Sequence, residues 1–138
     1  MKYKKIIIIG AGGHSKSLIN LITSINEFKI LGLIDNSISN KKILDYPILG
    51  TDQDLIKYYK KGIIYCSIGL GQIKNPYKRI KLFNLLKKIG FKIPTIISKK
   101  CECFKSNKIG EGTQIFHIFE FFFLLSRYTH YICPLYQK

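Results

Sequence analysis

Gly10, Gly12, Gly13 and His14 crowd into one short stretch, with Ser15, Lys16 and Ser17 directly behind them. Glycines at this spacing let the chain turn without side chains in the way, so main-chain N–H groups can approach an anion closely. Asp35 and Asn36 form a second polar group, and Gly69 with Gly71 form a second glycine-rich turn. Amides held this way suit a phosphate or pyrophosphate, and a carboxylate beside them suits a ribose or sugar hydroxyl. The set is one for binding, and none of its residues is assigned a catalytic role.

Two familiar glycine loops match only in part. A dinucleotide fingerprint G-x-G-x-x-G finds Gly10 and Gly12 but meets Ser15 where the third glycine belongs, and Asp35 lies slightly beyond the spacing of about 20 residues at which that fingerprint expects an acid. A P-loop finds Gly10, Lys16 and Ser17, yet Ser15 again stands where glycine must wrap the phosphate. An NTPase is therefore disfavoured. Asp35 has two readings at this point, ligand contact and plain turn aspartate.

The elements that must position these residues are legible from apolar patterning. Ile6 to Ile9 are β-branched and do not alternate with polar residues, as in a strand buried on both faces of a parallel sheet. Leu18, Ile19, Leu21, Ile22 and Ile25 then follow at helical spacing, with Ser15 as the expected cap. Lys29 to Ile34 reads as a second strand and Tyr46 to Gly50 as a short extended piece. Thr51 to Asp54 opens a short helix that Gly62 closes, and Ile63 to Ile68 is a third buried strand. Asn75 and Pro76 start a helix with an expected apolar stripe of Tyr77, Ile80, Phe83, Leu86 and Ile89, ending at Gly90. Lys78 and Arg79 in its first turn read as solvated charges or phosphate partners. Phe91 to Ser98 is a fourth strand that Pro94 sends to an edge or out of the domain.

The formal charge is +15, from 23 Lys and Arg against 8 Asp and Glu. The lysines are scattered in pairs and do not gather with aromatics, so solvated surface outweighs a dedicated polynucleotide site. Four cysteines, Cys66, Cys101, Cys103 and Cys133, form no CxxC pair, so reduced thiols and no metal are expected. The apolar run behind Met1 to Lys5 is too short for a secretory core or a membrane span, which points to a cytoplasmic protein.

Taken in order, Gly10-Ala-Gly-Gly-His14, Leu33-Ile-Asp-Asn36, Tyr46-Pro-Ile-Leu-Gly50, Ser67-Ile-Gly69 and Ile93-Pro-Thr-Ile-Ile-Ser98 resemble the N-terminal domain of the sugar O- and N-acyltransferases, with the sialic acid O-acetyltransferase and bacillosamine acetyltransferase branches among them. The resemblance covers about residues 3 to 116, and its most specific element is Gly10 to His14. It implies a domain that holds a nucleotide sugar, typically a UDP-linked amino sugar. Acetyl-CoA as co-substrate then binds on a following left-handed β-helix, through which the family is usually trimeric. Carried over by position, Gly12, Gly13 and His14 would cradle the nucleotide, with Gly10 in the same binding set, Asp35 and Asn36 would face it, and Gly69 would line the second turn.

Lys108 to Ile115 fits one turn of the hexapeptide repeat that builds such a β-helix, but one copy is not a repeat, and about three are needed for stability. The glycines then stop, and Ile118 to Leu125 is an aromatic run. The expected fold is thus α/β, a small Rossmann-like parallel sheet with flanking helices over 1–98, the start of a truncated left-handed β-helix over 99–117, and an aberrant tail over 118–138. A frameshift or premature stop is the expected cause. The expected function is nucleotide-sugar binding with weak or absent acetyl transfer, the acetyl-CoA site being missing and the chain a monomer or an ill-defined aggregate. An NAD(P)-dependent oxidoreductase fragment and a basic nucleic-acid-binding module are the competing readings.

Overall fold

The computed structural model describes residues 3–37, 42–71, 76–101 and 108–117. Strands β1 (Lys4–Ile9), β2 (Phe28–Ile34), β4 (Tyr46–Gly50) and β5 (Tyr65–Ile68) lie parallel, and β3 (Lys42–Ile43) pairs antiparallel on the outside of β4. The order across the sheet is β3-β4-β2-β1-β5. A further parallel bridge joins Tyr65 to Lys92 beyond β5. Helices α1 (Gly13–Ile25), α2 (Leu55–Lys60) and α3 (Tyr77–Ile89) flank it, giving a Rossmann-like α/β architecture.

The four isoleucines of β1 explain the layering. Successive side chains of a strand point to opposite faces. Ile6 and Ile8 join Leu18, Leu21 and Ile22 of α1, whereas Ile7 and Ile9 join Leu55 of α2, Leu82 and Leu86 of α3, and Phe91. All four are at most 2% exposed. Each fully buried isoleucine contributes about 1.5–3 kcal/mol, so this unbroken run anchors both layers at once.

Several helix ends follow expectation. Thr51 and Asp54 form a capping box ahead of α2, with Thr51 N–H donating to Asp54 Oδ2 at 3.0 Å. Gly62 and Gly90 take positive φ after α2 and α3. Two expectations need correction. Ser15 is not the cap of α1: the helix starts at Gly13 with Gly12 as its N-cap, and the Ser15 hydroxyl donates back to the Gly12 carbonyl. On α3, Tyr77 and Ile80 are 68% and 52% exposed, and the inward positions are Leu82, Phe83, Leu86 and Ile89. A repeat of three drifts by about 60° per step around a helix of 100° per residue, so Tyr77 and Leu86 end on opposite sides.

After Lys92 the chain leaves the sheet, as Pro94 suggested. β6 (Ile96–Ile97) and β7 (Gln114–Ile115) form a separate parallel pair, Ile96 opposite Gln114 and Ile97 opposite Ile115. Glu111 ties the turn before β7 to α3 through Lys87, with Nζ to Oε1 at 2.8 Å. Asn75, Cys103, His130, Cys133 and the aromatic run from Ile118 to Leu125 lie outside the described residues.

Candidate functional site

The loops at the carboxyl ends of the parallel strands are stitched to one another. Gly10 N–H donates to the Ile34 carbonyl and Gly69 N–H to the Ile9 carbonyl, each at 2.7 Å. Asp35 N–H donates to the Gly50 carbonyl at 3.0 Å. The Asp35 carboxylate accepts from Ala11 N–H and from Ser37 N–H, both at 2.6 Å. Asp35 therefore fixes the glycine loop by its main chain. Asn36 is turned outward, where its side-chain amide pairs with Asp52 in two hydrogen bonds.

Between β1 and β5 lies the point where the connections change faces, α1 on one side and α2 with α3 on the other. Open α/β sheets bind ligands at this switch point. Gly10 and Gly69 are needed there for closeness. Gly10 has φ +104°, and a Cβ on it would stand 2.9 Å from Leu70. A Cβ on Gly69 would stand 3.0 Å from the Cβ of Ser15. The third glycine of a dinucleotide fingerprint serves close helix–strand packing. Here Ser15 fills that position, fully buried, because the neighbour across from it has no side chain.

Gly12 and Gly13 differ from these two. A Cβ on either would meet nothing within 4 Å, and neither has positive φ. Their missing side chains serve neither the turn nor the internal packing; they leave open space at the start of α1. No side chain caps that helix, and its first turn holds no acidic residue. The free amides and the positive end of the helix dipole thus face that space.

His14 sits in the first turn of α1, half-buried, with its ring against β7. Its Nε2 is 2.9 Å from Gln114 Oε1, and its ring meets Phe116 edge-on at 5.6 Å between centroids. Gln114 Nε2 donates to Ser67 Oγ at 3.1 Å and to the Ile68 carbonyl at 2.9 Å. Burial lowers the imidazole pKa below 6.5; the Gln114 hydrogen bond opposes this, and the Arg79 guanidinium adds to it. Arg79 is half-buried and donates to the carbonyls of Ile68 at 3.3 Å and Leu70 at 3.0 Å.

The structure thus brings Gly10, Gly12, Gly13, His14 and Gly69 together, with Asp35 directly behind the loop and Asn36 facing outward. Sequence reasoning missed Gln114 and the placing of Arg79. The signal for Arg79 was present: Arg79, Leu82, Phe83 and Leu86 share one helical face. Gln114 carried none, being 100 residues from His14. Among the described residues no His, Cys, Asp and Glu cluster could hold a metal, and no helix is long and apolar enough to cross a membrane.

The family model of the PglD N-terminal domain matches residues 5–86, more than half of the chain. No curated protein matches. Among solved structures, a point mutant of perosamine N-acetyltransferase from Caulobacter crescentus, in complex with CoA and GDP-perosamine, superposes with a TM-score of 0.73 at 24% identity. That match covers 80% of this chain and 50% of the other. The acetyltransferase domain of PglB from Neisseria gonorrhoeae FA1090, in complex with acetyl coenzyme A, gives a TM-score of 0.71 at 24% identity, over 82% and 53% of the two chains. The chain spans about half the length of these structures, and the likeness is one of fold.

Proposed function

The chain belongs to the PglD N-terminal domain family, and from that premise we propose that its switch-point crevice binds a nucleotide-linked amino sugar for a sugar acetyltransferase. The observation that carries this reading is the uncapped start of α1, where Gly12 and Gly13 leave open space beside His14. In this reading the amides of that turn hold the diphosphate. His14 lines the pocket, Gly10 and Gly69 let the two loops close around it, and Asp35 with Asn36 borders the nucleoside side. The GDP-perosamine bound by the Caulobacter enzyme supports an amino sugar as the class of ligand. The sequence resemblance favours uridine as the nucleoside.

The parallel pairing of β6 with β7 supports reading 99–117 as the first turn of a left-handed β-helix, with the nucleotide-sugar domain over 1–98. Acetyl-CoA, bound by the PglB domain, then belongs to the β-helix, and residues 1–117 supply binding rather than acetyl transfer. Calorimetric titration of the chain with a UDP-linked amino sugar, a GDP-linked amino sugar, CMP-sialic acid and NADH tests the reading. Saturable binding of a nucleotide amino sugar is expected. Saturation by NADH alone, or by none of the four, overturns it. Appreciable acetyl-CoA turnover would overturn the division of labour.

A further inference from the structure

The hydrogen bonds around Gln114 have a direction that can be worked out. Its side-chain nitrogen lies 2.9 Å from the Ile68 carbonyl, which only accepts, so the nitrogen and not the oxygen must face it. The second N–H goes to Ser67 Oγ. Both donors are thereby used, and Oε1 is what remains for His14. An oxygen there requires a proton on His14 Nε2. In the neutral ring the lone pair is then on Nδ1.

Nδ1 itself is open. Among the described residues no hydrogen bond reaches it, and no side-chain nitrogen or oxygen that is fully buried lacks a partner. It is therefore not fully enclosed. Burial and the Arg79 guanidinium on α3 favour the neutral ring, as does the positive end of the α1 dipole on which His14 sits, and the Gln114 hydrogen bond opposes them in part. A neutral ring in this tautomer offers a lone pair. The two phosphates of a nucleotide sugar are both ionised and offer only lone pairs in return, whereas a hydroxyl or ammonium group offers a proton.

We propose that Gln114 holds His14 as the Nε2–H tautomer, so that Nδ1 accepts a hydrogen bond from a hydroxyl or amino group of the sugar and does not bind its phosphates. This rests on the crevice being the nucleotide-sugar site, and it gives His14 the part of a specificity residue, with Gln114 as its positioning residue. The diphosphate is left to the amides of Gly12 and Gly13.

Nitrogen-15 NMR of the full chain, with the His14 signals assigned by comparison with His14→Gln, reads the tautomer directly. At neutral pH the unprotonated nitrogen of His14 is expected to be Nδ1. A proton on Nδ1 overturns the proposal. Gln114→Glu leaves an acceptor beside Nε2 but adds a negative charge, and is expected to raise the pH at which His14 protonates; no change overturns the positioning role. Ser67→Ala, which leaves the Ile68 carbonyl to orient the amide, is expected to keep the tautomer, and its loss counts against the proposal. For binding, His14→Ala is expected to weaken a UDP-linked amino sugar about tenfold while leaving UDP unchanged, a tenfold loss being about 1.4 kcal/mol. Equal weakening of both overturns the assignment. If the unaltered chain binds neither, the nucleotide-sugar reading fails, and the NMR result still decides whether Gln114 sets the tautomer.

Discussion

The Cβ of Ser15 lies 3.0 Å from the point a side chain on Gly69 would occupy, and Ile8 Cγ2 lies 2.9 Å from that point. Both contacts are tighter than carbon atoms accept without a shift, and Ser15 and Ile8 are fully buried. Gly69→Ala is therefore expected to destabilise the fold by about 1–3 kcal/mol, read from urea unfolding. Adding Ser15→Gly relieves one contact and leaves the other. A double-mutant cycle is expected to show favourable coupling between the two sites, and strict additivity would refute the packing account.

Gly13 makes the opposite case. It is the first residue of α1, and a side chain there meets nothing within 4 Å. Replacing a helical glycine by alanine gains about 0.5–1 kcal/mol at an interior position, and less at a helix end. Gly13→Ala is expected to melt at the same temperature as the parent chain or slightly higher, yet to bind a UDP-linked amino sugar more weakly because the added methyl stands in the crevice. A variant that binds as well as the parent would remove Gly13 from the site.

His14 gives a stability term with a defined sign. Its pKa in the folded chain lies below 6.5, so the unfolded chain takes up the proton first. The contribution is present above pH 6.5 and is lost as the pH falls through the folded value. The charged group whose field reaches the ring is Arg79 on α3, and Gln114 on β7 is neutral. Unfolding free energy measured downward from pH 7 is expected to fall less steeply in His14→Gln than in the parent.

Cys66 is buried in the face that carries α2 and α3. Burial first, then the Glu111 carboxylate, push its thiol up to about 12, with Lys87 acting in the other direction. The thiolate is the reactive form. Iodoacetamide at pH 8 is expected to leave the peptide containing Cys66 unmodified in the folded chain and to alkylate it in urea. Labelling of folded protein would contradict the burial. The same shift means that Cys66 favours folding fully below about pH 9 and less as the pH rises toward about 12.

Leu44 takes φ +51° in the two-residue turn between β3 and β4 and is 50% exposed. A left-handed conformation costs a non-glycine residue about 1–2 kcal/mol. Glycine loses more entropy on folding, so Leu44→Gly is expected to stabilise by a smaller margin, about 0.5–1 kcal/mol. A lower melting temperature would show that Leu44 contributes packing that outweighs its strain.

What was legible in the sequence was local. Ile6 to Ile9 report burial on both faces through their own composition, and the glycines of the first loop report the turn they make. Helix α1 is equally plain, since five apolar residues at the right spacing all became buried. The stripe on α3 departs from expectation because spacing of three imitates a face over one turn and drifts off it over three. The fingerprint's missing glycine looked like a defect until Gly69, 54 positions away in the chain, proved to supply the room. Gln114 is the limit of such reading, because its three partners, His14, Ser67 and Ile68, lie 100, 47 and 46 residues away.

Because the Gln114 amide spans from His14 to the end of β5, the segment at 108–117 is tied to the first turn of α1 as well as to β6. Linkage between two equilibria runs equally in both directions. Any ligand that immobilises the imidazole would therefore also resist the peeling of β7, and anything that seats β7 more firmly would hold the imidazole in place.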